Sequence, residues 1–198
     1  MELYIVRHGK TEWNAAGRVQ GHADIQLNEE GRAAAKALGK ELKDTPLYAI
    51  YSSPLQRAKE TAVLIRGDHK CPLIVDDRLI EISFGDLEGS TLDEWMNEDS
   101  PHRFFFSDPK KYVAPPNGES FESVCARTKD FMQKVIEPLA KEHEDARVLI
   151  VAHGALNKGL MCYLEGNDIA HYWGDGLQKN CQATVFSYKN GSWIRISS

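Results

Sequence analysis

Apolar residues along the chain switch between two spacings, one near two residues and one near 3.6. Glu2–Arg7 is apolar and β-branched and stops at Gly9, which predicts a strand. Asn28 serves as the N-cap of a helix over 29–42, with Ala34, Ala37, Leu38 and Leu42 on one face. Residues 48–51 form a second strand. Ser53-Pro54 predicts an N-cap followed by proline at the first helical position, with Gln56 completing a capping box. That helix runs to Ile65 and stops at Gly67. Leu73–Val75 is a short third strand. Residues 82–119 read as irregular, because Pro101, Pro109, Pro115 and Pro116 forbid much regular structure. One short helix is expected there, after the Thr91-x-x-Glu94 box. A long helix from Phe121 places Val124, Cys125, Thr128, Phe131, Val135 and Ile136 at helical spacing. Residues 148–152 are continuously apolar, as in a parallel sheet covered on both faces. A helix over 155–164 closes at Gly166, and strands over 183–188 and 192–196 flank Asn190-Gly191, a hairpin turn.

Strands alternating with helices predict an α/β layered sheet, and the final hairpin makes it mixed instead of purely parallel. The 198 residues fit one domain at about 150 residues per domain. Lys plus Arg is 24 and Asp plus Glu is 29, a net charge of −5, which speaks against a nucleic-acid partner. Hydrophobic residues are 42% and charged residues 27%, the balance of an ordinary globular chain. The apolar runs are far shorter than the ~20 residues of a membrane span. The N-terminus carries no basic leader followed by an apolar stretch. Cys71, Cys125, Cys162 and Cys181 lie far apart without a C-x-x-C pair, so free thiols are expected before a zinc site or disulfides. A cytoplasmic location is the corresponding expectation.

In open α/β sheets ligands sit at the carboxyl ends of the strands. The first strand ends in Arg7-His8-Gly9, the second in Ser52-Ser53-Pro54 with Arg57 one helical turn on, and the 148–152 strand in His153-Gly154. One histidine at a strand end reads as structural; two His-Gly steps and two arginines at neighbouring ends read as a site. Arginine forks match phosphate oxygens, and helix N-termini add backbone donors. Asn14 adds a neutral donor, so the ligand expected is a phosphoryl group. No H-x-x-x-H, Asp-x-Asp or G-x-x-x-x-G-K pattern supplies a metal or nucleotide site. An imidazole neutral on its reactive nitrogen can attack phosphorus and form a phosphohistidine. The leaving alkoxide needs a proton, for which Glu81 is the best candidate, held protonated by an apolar or anion-rich pocket. On spacing alone Glu81 reads equally well as a surface glutamate.

These residues resemble the histidine phosphatase superfamily, also called phosphoglycerate mutase-like. The stretch Leu3-Tyr4-Ile5-Val6-Arg7-His8-Gly9-Lys10-Thr11-Glu12-Trp13-Asn14 is similar to its N-terminal signature, continued by Gly17-Arg18-Val19-Gln20-Gly21. Ser52 to Ala62, Glu81 to Gly89 and Val151-Ala152-His153-Gly154 are similar to its later blocks, in the family's order. The resemblance implies a three-layer α/β/α sandwich around a mostly parallel mixed sheet, with no metal or cofactor. It implies His8 as the phosphorylated nucleophile, Arg7, Arg57 and His153 as the phosphate pocket, and Glu81 as the acid and base. It also implies Asn14, Gln20, Gly21 and Gly154 as substrate-binding positions.

The family holds both phosphatases and mutases. Its phosphoglycerate mutases carry Arg and Tyr after the acid glutamate, in a pattern like E-R-x-Y-G. Here Ile82 and Phe84 stand at those positions. The mutases also carry an insertion and a closing tail, and this sequence ends at Ser198 directly after its last expected strand. Both departures favour a phosphatase acting on small phosphorylated metabolites. A mutase, or an inactive phospho-ligand-binding module, is the alternative. The segment 87–119 is expected to cap the site and resembles that of small bacterial phosphatases, including α-ribazole-phosphate and phosphoserine phosphatases. Within it Phe104-Phe105-Phe106 reads as core before substrate platform, and Arg103, Lys110 and Lys111 as a solvated face. The particular metabolite and the oligomeric state are not specified by the sequence.

Overall fold

The computed structural model of the protein describes residues 1–197. Six strands form one sheet in the order β3-β2-β4-β1-β5-β6. They are β1 (Glu2–Arg7), β2 (Leu47–Ser52), β3 (Leu73–Val75), β4 (Arg147–Ala152), β5 (Ala183–Lys189) and β6 (Ser192–Ser197). The first four run parallel, while β5 and β6 add an antiparallel hairpin. This is the expected mixed sheet. The hairpin turn takes φ 52° at Asn190 and 79° at Gly191, left-handed values that an Asn-Gly pair tolerates.

The helices are α1 (Glu12–Ala15), α2 (Glu29–Glu41), α3 (Gln56–Arg66), α4 (Leu92–Trp95), α5 (Phe104–Ser107), α6 (Phe121–Phe131), α7 (Glu137–Glu142) and α8 (Gly154–Glu165). Strand alternation assigns them to two layers. Leu3, Ile5, Val148, Ile150 and Ala152 share a cluster with residues of α6 and α8. Val6, Ile50, Leu149 and Val151 pack against α2 and α3. Strand β4 is buried on both faces, as its unbroken apolar run requires. The result is the three-layer α/β/α sandwich. No helix among the described residues is long and apolar enough to cross a membrane.

Four local expectations change. The buried face of α2 is Gly31, Ala35, Leu38 and Leu42; Ala34 is half-buried and Ala37 exposed. The true face follows i, i+4, i+7 and i+11 from Gly31, whose N–H the Asn28 cap side chain accepts at 2.8 Å. The expected box at Ser53 does not form, and α3 begins at Gln56. Asp24, from a distant loop, caps that start: its Oδ1 accepts from Gln56 N at 2.7 Å and its Oδ2 from Gln56 Nε2 at 3.1 Å. The long helix from Phe121 passes through a π turn over Met132–Ile136 before α7. Pro138 has no N–H to return to Lys134, and the wider turn accommodates that gap. Finally, α5 forms inside the segment expected to hold a single short helix.

Candidate active site

Strands β2, β4 and β1 end side by side, with Arg7 opposite Ala152 and Ser52 opposite Val151. Their register delivers His8, His153 and Ser53 to one edge of the sheet. Arg57 reaches the same place from the first turn of α3. All four are buried.

His8 Nδ1 lies 2.7 Å from Gly9 O. A carbonyl only accepts, so Nδ1 carries the hydrogen and Nε2 presents a lone pair. Burial first, then the charges of Arg57 and Arg7, hold this imidazole well below its ordinary pKa, and the ring is neutral. His153 stands with its ring centroid 5.1 Å away. Its pKa is also well depressed, by burial first and then by Arg57 and His8. Its Nε2 meets Ser53 Oγ at 2.7 Å. That hydroxyl accepts from Leu55 N at 3.3 Å, and its own hydrogen is free for His153 Nε2. The ring hydrogen then sits on Nδ1, which is buried without a partner. Ser53 Oγ thus bonds His153 and Leu55 N, and the cap of α3 at Gln56 falls to Asp24.

The arginines are fixed by backbone carbonyls instead of carboxylates. Arg57 Nη1 and Nη2 donate to Ala23 O and Gly21 O, each at 2.7 Å. Arg7 Nη1 donates to Gln178 O at 2.7 Å. The Nε of each remains buried and unpartnered. Burial pushes the Arg57 pKa down to about 10, with nearby Glu81 opposing it. Arg7 and Arg57, each with an unpartnered Nε, line the cavity at this strand edge and have the chemistry that suits an oxyanion, whereas His153, whose Nδ1 is also unpartnered, is not among the lining residues.

Glu81 is buried, so the surface reading falls away. Its Oε1 accepts from Ile82 N and Leu156 N, each at 2.9 Å, and Oε2 from Ala155 N at 3.2 Å. Its surroundings are therefore a helix N-terminus, not the expected apolar or anion-rich pocket. The backbone of its segment is clamped as well. Arg127 donates to the carbonyls of Arg78, Ile80 and Glu81 at 2.7, 2.6 and 3.1 Å, and pairs with Glu119 at 2.8 Å.

The remaining expected positions converge on the same cavity of about 290 Å³, lined by Arg7, His8, Asn14, Gln20, Gly21, Arg57, Glu81 and Gly154 among others. Asn14 Oδ1 takes Thr11 N at 3.1 Å. A Cβ on Gly154 would stand 2.8 Å from Leu177 Cδ1 and 3.5 Å from Arg7 Nε, so a larger residue here would have to displace the Leu177 side chain. Of the phenylalanines, Phe105 is core, packed with Phe84, Trp95 and Trp173, whereas Phe106 lines the cavity. Arg103, Lys110 and Lys111 lie outside it, bonded to Glu98 O, Asp168 and Asp108.

Sequence reasoning missed Ser53, Thr61, Leu177, Gln178 and Asn180. Thr61 Oγ1 accepts from Gly9 N at 2.9 Å, and Asn180 Nδ2 donates to His8 O at 2.8 Å. Ser53 and Thr61 lie inside the 52–62 block. The loop before β5 has no periodicity that would mark it. All four cysteines are free, with Cys162 buried.

The chain matches the profile of the histidine phosphatase superfamily (branch 1) over residues 3–196. It belongs to that family. Among curated relatives, the metal-independent phosphoserine phosphatase of Arabidopsis thaliana is 35% identical over 98% of this chain and 79% of its own length. Among solved structures, Bacillus stearothermophilus YhfR superposes with a TM-score of 0.88 at 36% identity, covering 99% of this chain and 95% of that one. A phosphoserine phosphatase mutant of Entamoeba histolytica, in complex with phosphoserine, gives 0.82 at 31% identity, covering 99% and 95%. An Erwinia tasmaniensis protein named "Probable phosphoglycerate mutase GpmB" is 34% identical over 78% of this chain and 70% of its own. The expected family, fold and phosphatase class agree with these similarities.

Proposed function

We propose that this protein is a metal-independent phosphomonoesterase acting on small phosphorylated metabolites through a phosphohistidine at His8. The observation that carries the reading is the His8 tautomer. Gly9 O fixes the hydrogen on Nδ1 and leaves Nε2 as a neutral nucleophile beside unpaired donors of Arg7, Arg57 and His153. In the first step Nε2 bonds to phosphorus as the ester P–O bond breaks, and Glu81 delivers a proton to the leaving alkoxide. Glu81 Oε2 suits that role, since it takes one N–H at 3.2 Å while Oε1 takes two. In the second step water attacks the phosphohistidine, Glu81 accepts its proton, and phosphate leaves. Arg7, Arg57 and His153 stabilise the oxyanion throughout. Asn14, Gln20, Gly21 and Gly154 shape the substrate side.

Hydrolysis is favoured over mutase action because Ile82 is fully buried and Phe84 packs on Trp95 and Phe105, so neither position offers a polar contact to a phosphoglycerate. We read the chain as one domain whose segment 87–119 caps the site. Its free cysteines suit a reducing cytoplasm. The test is release of phosphate from p-nitrophenyl phosphate with excess EDTA, together with trapping of an acid-labile phosphoenzyme. His8→Ala should abolish both, a loss of about 10⁴-fold or more in rate. Full activity in that variant, loss of activity with EDTA, or isomerisation of 3-phosphoglycerate without phosphate release would sink the proposal.

A further inference from the structure

We infer that the alcohol part of the preferred substrate is apolar and carries no ammonium group. This inference rests on the phosphatase reading above. Three large hydrophobic side chains stand conspicuously exposed around one opening: Leu92 at 37%, Phe106 at 36% and Leu177 at 45%. They come from α4, α5 and the loop before β5, and all three line the cavity that holds His8. Exposed apolar groups converging from separate segments on one mouth mark a binding surface. Leu177 ties that mouth to the phosphate cradle, since its Cδ1 lies over Gly154 beside Arg7.

The charges point the same way. Glu81 is the one acidic residue among the described cavity-lining residues. Both of its oxygens already accept backbone N–H groups. An ammonium, as on phosphoserine or phosphoethanolamine, would enter beside Arg7, Arg57 and Arg18 with no carboxylate to meet it other than Glu81, which the leaving oxygen engages in the proposed chemistry. Burying a cation without a partner is costly, whereas a phenyl or alkyl group meets Leu92, Phe106 and Leu177.

The experiment compares benzyl phosphate, methyl phosphate, phosphoethanolamine and phosphoserine by kcat/KM. All four are alkyl esters, so the comparison reads the alcohol's contacts more than its leaving tendency. Benzyl phosphate should exceed phosphoserine by about tenfold or more, the factor that partial burial of one ring supplies. Phe106→Ser and Leu177→Ser should each lower the benzyl-to-methyl ratio by about five- to tenfold. Higher kcat/KM for phosphoserine, or a ratio unmoved in both variants, would overturn the inference. Calorimetric binding to His8→Ala protein separates the two levels of the argument. Tighter binding of benzyl phosphate than of phosphoserine supports the apolar mouth even where turnover fails. The reverse order refutes it even where turnover succeeds.

Discussion

The cavity has two ends built by different means. At the inner end His8, Arg57 and His153 are buried at strand ends and a helix start, held by the Gly9, Gly21 and Ala23 carbonyls and the Ser53 hydroxyl. At the outer end Leu92, Phe106 and Leu177 project from two four-residue helices and a loop, partly exposed and bonded to nothing. The inner end is rigid because its histidines and arginines are buried and tied to backbone carbonyls and the Ser53 hydroxyl. The outer end can change without disturbing the sheet. In the proposed reading, a fixed phosphoryl cradle with an exchangeable rim lets one fold serve many esters. The comparison also separates what a mutation does: inner changes act on every substrate, outer changes on some.

After His8→Ala, the largest expected effect lies at Arg57. Arg57→Lys keeps a positive charge but cannot hold the Gly21 and Ala23 carbonyls while offering a third N–H inward. Its kcat/KM should fall by about 10²–10³-fold, equally for benzyl, methyl and p-nitrophenyl phosphates. A loss that depended on the alcohol would break the division between the two ends.

The next effect sharpens it. In the proposed chemistry Glu81 protonates the leaving oxygen, and p-nitrophenolate scarcely needs that proton. Glu81→Gln should therefore lower kcat/KM by about 10²-fold for methyl phosphate and by less than about tenfold for p-nitrophenyl phosphate. Arg127 does not line the cavity, yet its guanidinium holds the carbonyls of Ile80 and Glu81. Arg127→Lys should show the same leaving-group dependence, weakened, together with a lower melting temperature from unpaired carbonyls. Equal losses on both esters would make Arg127 merely structural.

A smaller effect appears in stability against pH. His8 and His153 have folded pKa values well below 6.5, caused first by burial and then by the arginines. The unfolded chain takes up these protons as pH falls through about 6.5, and the native rings resist. Their contribution is fully present above that pH and is lost as pH falls toward the depressed folded values. The melting temperature should drop between about pH 6.5 and 5, and the double variant His8→Gln, His153→Gln should flatten that slope. An unchanged slope would mean that the rings titrate normally and that the cradle is wetter than its burial implies.

The same division governs what could be read beforehand. Strand β4 was legible because five consecutive apolar residues have no other soluble use, and the cradle residues directly follow such strands. His8, His153 and Arg57 are where position alone puts them. The capping of α3 was not legible. Ser53 satisfies the local pattern, but His153 takes its hydroxyl and Asp24 supplies the cap across 32 positions. Glu81 was found with the wrong environment, since the N–H groups of Ala155 and Leu156 that hold it lie far along the chain. The rim was least legible. Phe104, Phe105 and Phe106 are adjacent and chemically identical, and only tertiary packing sends one to the core and another to the cavity.

The smallest expected effect completes the comparison from outside the cavity. Arg103 and Lys111 lie near the rim in sequence and carry the charges that a carboxylated substrate would seek. Yet Arg103 lies over the Phe104 ring at 4.6 Å and donates to Ser100 O, and Lys111 pairs with Asp108 at 2.8 Å. Exposed pairs of this kind contribute about 0–1 kcal/mol to stability. Arg103→Ala and Lys111→Ala should each change kcat/KM by less than about twofold on benzyl phosphate and on 3-phosphoglycerate alike. A selective loss on 3-phosphoglycerate would show that these cations reach the substrate in solution. The rim would then be a mixed surface, part apolar and part cationic, extending from α5 to the residues that flank it.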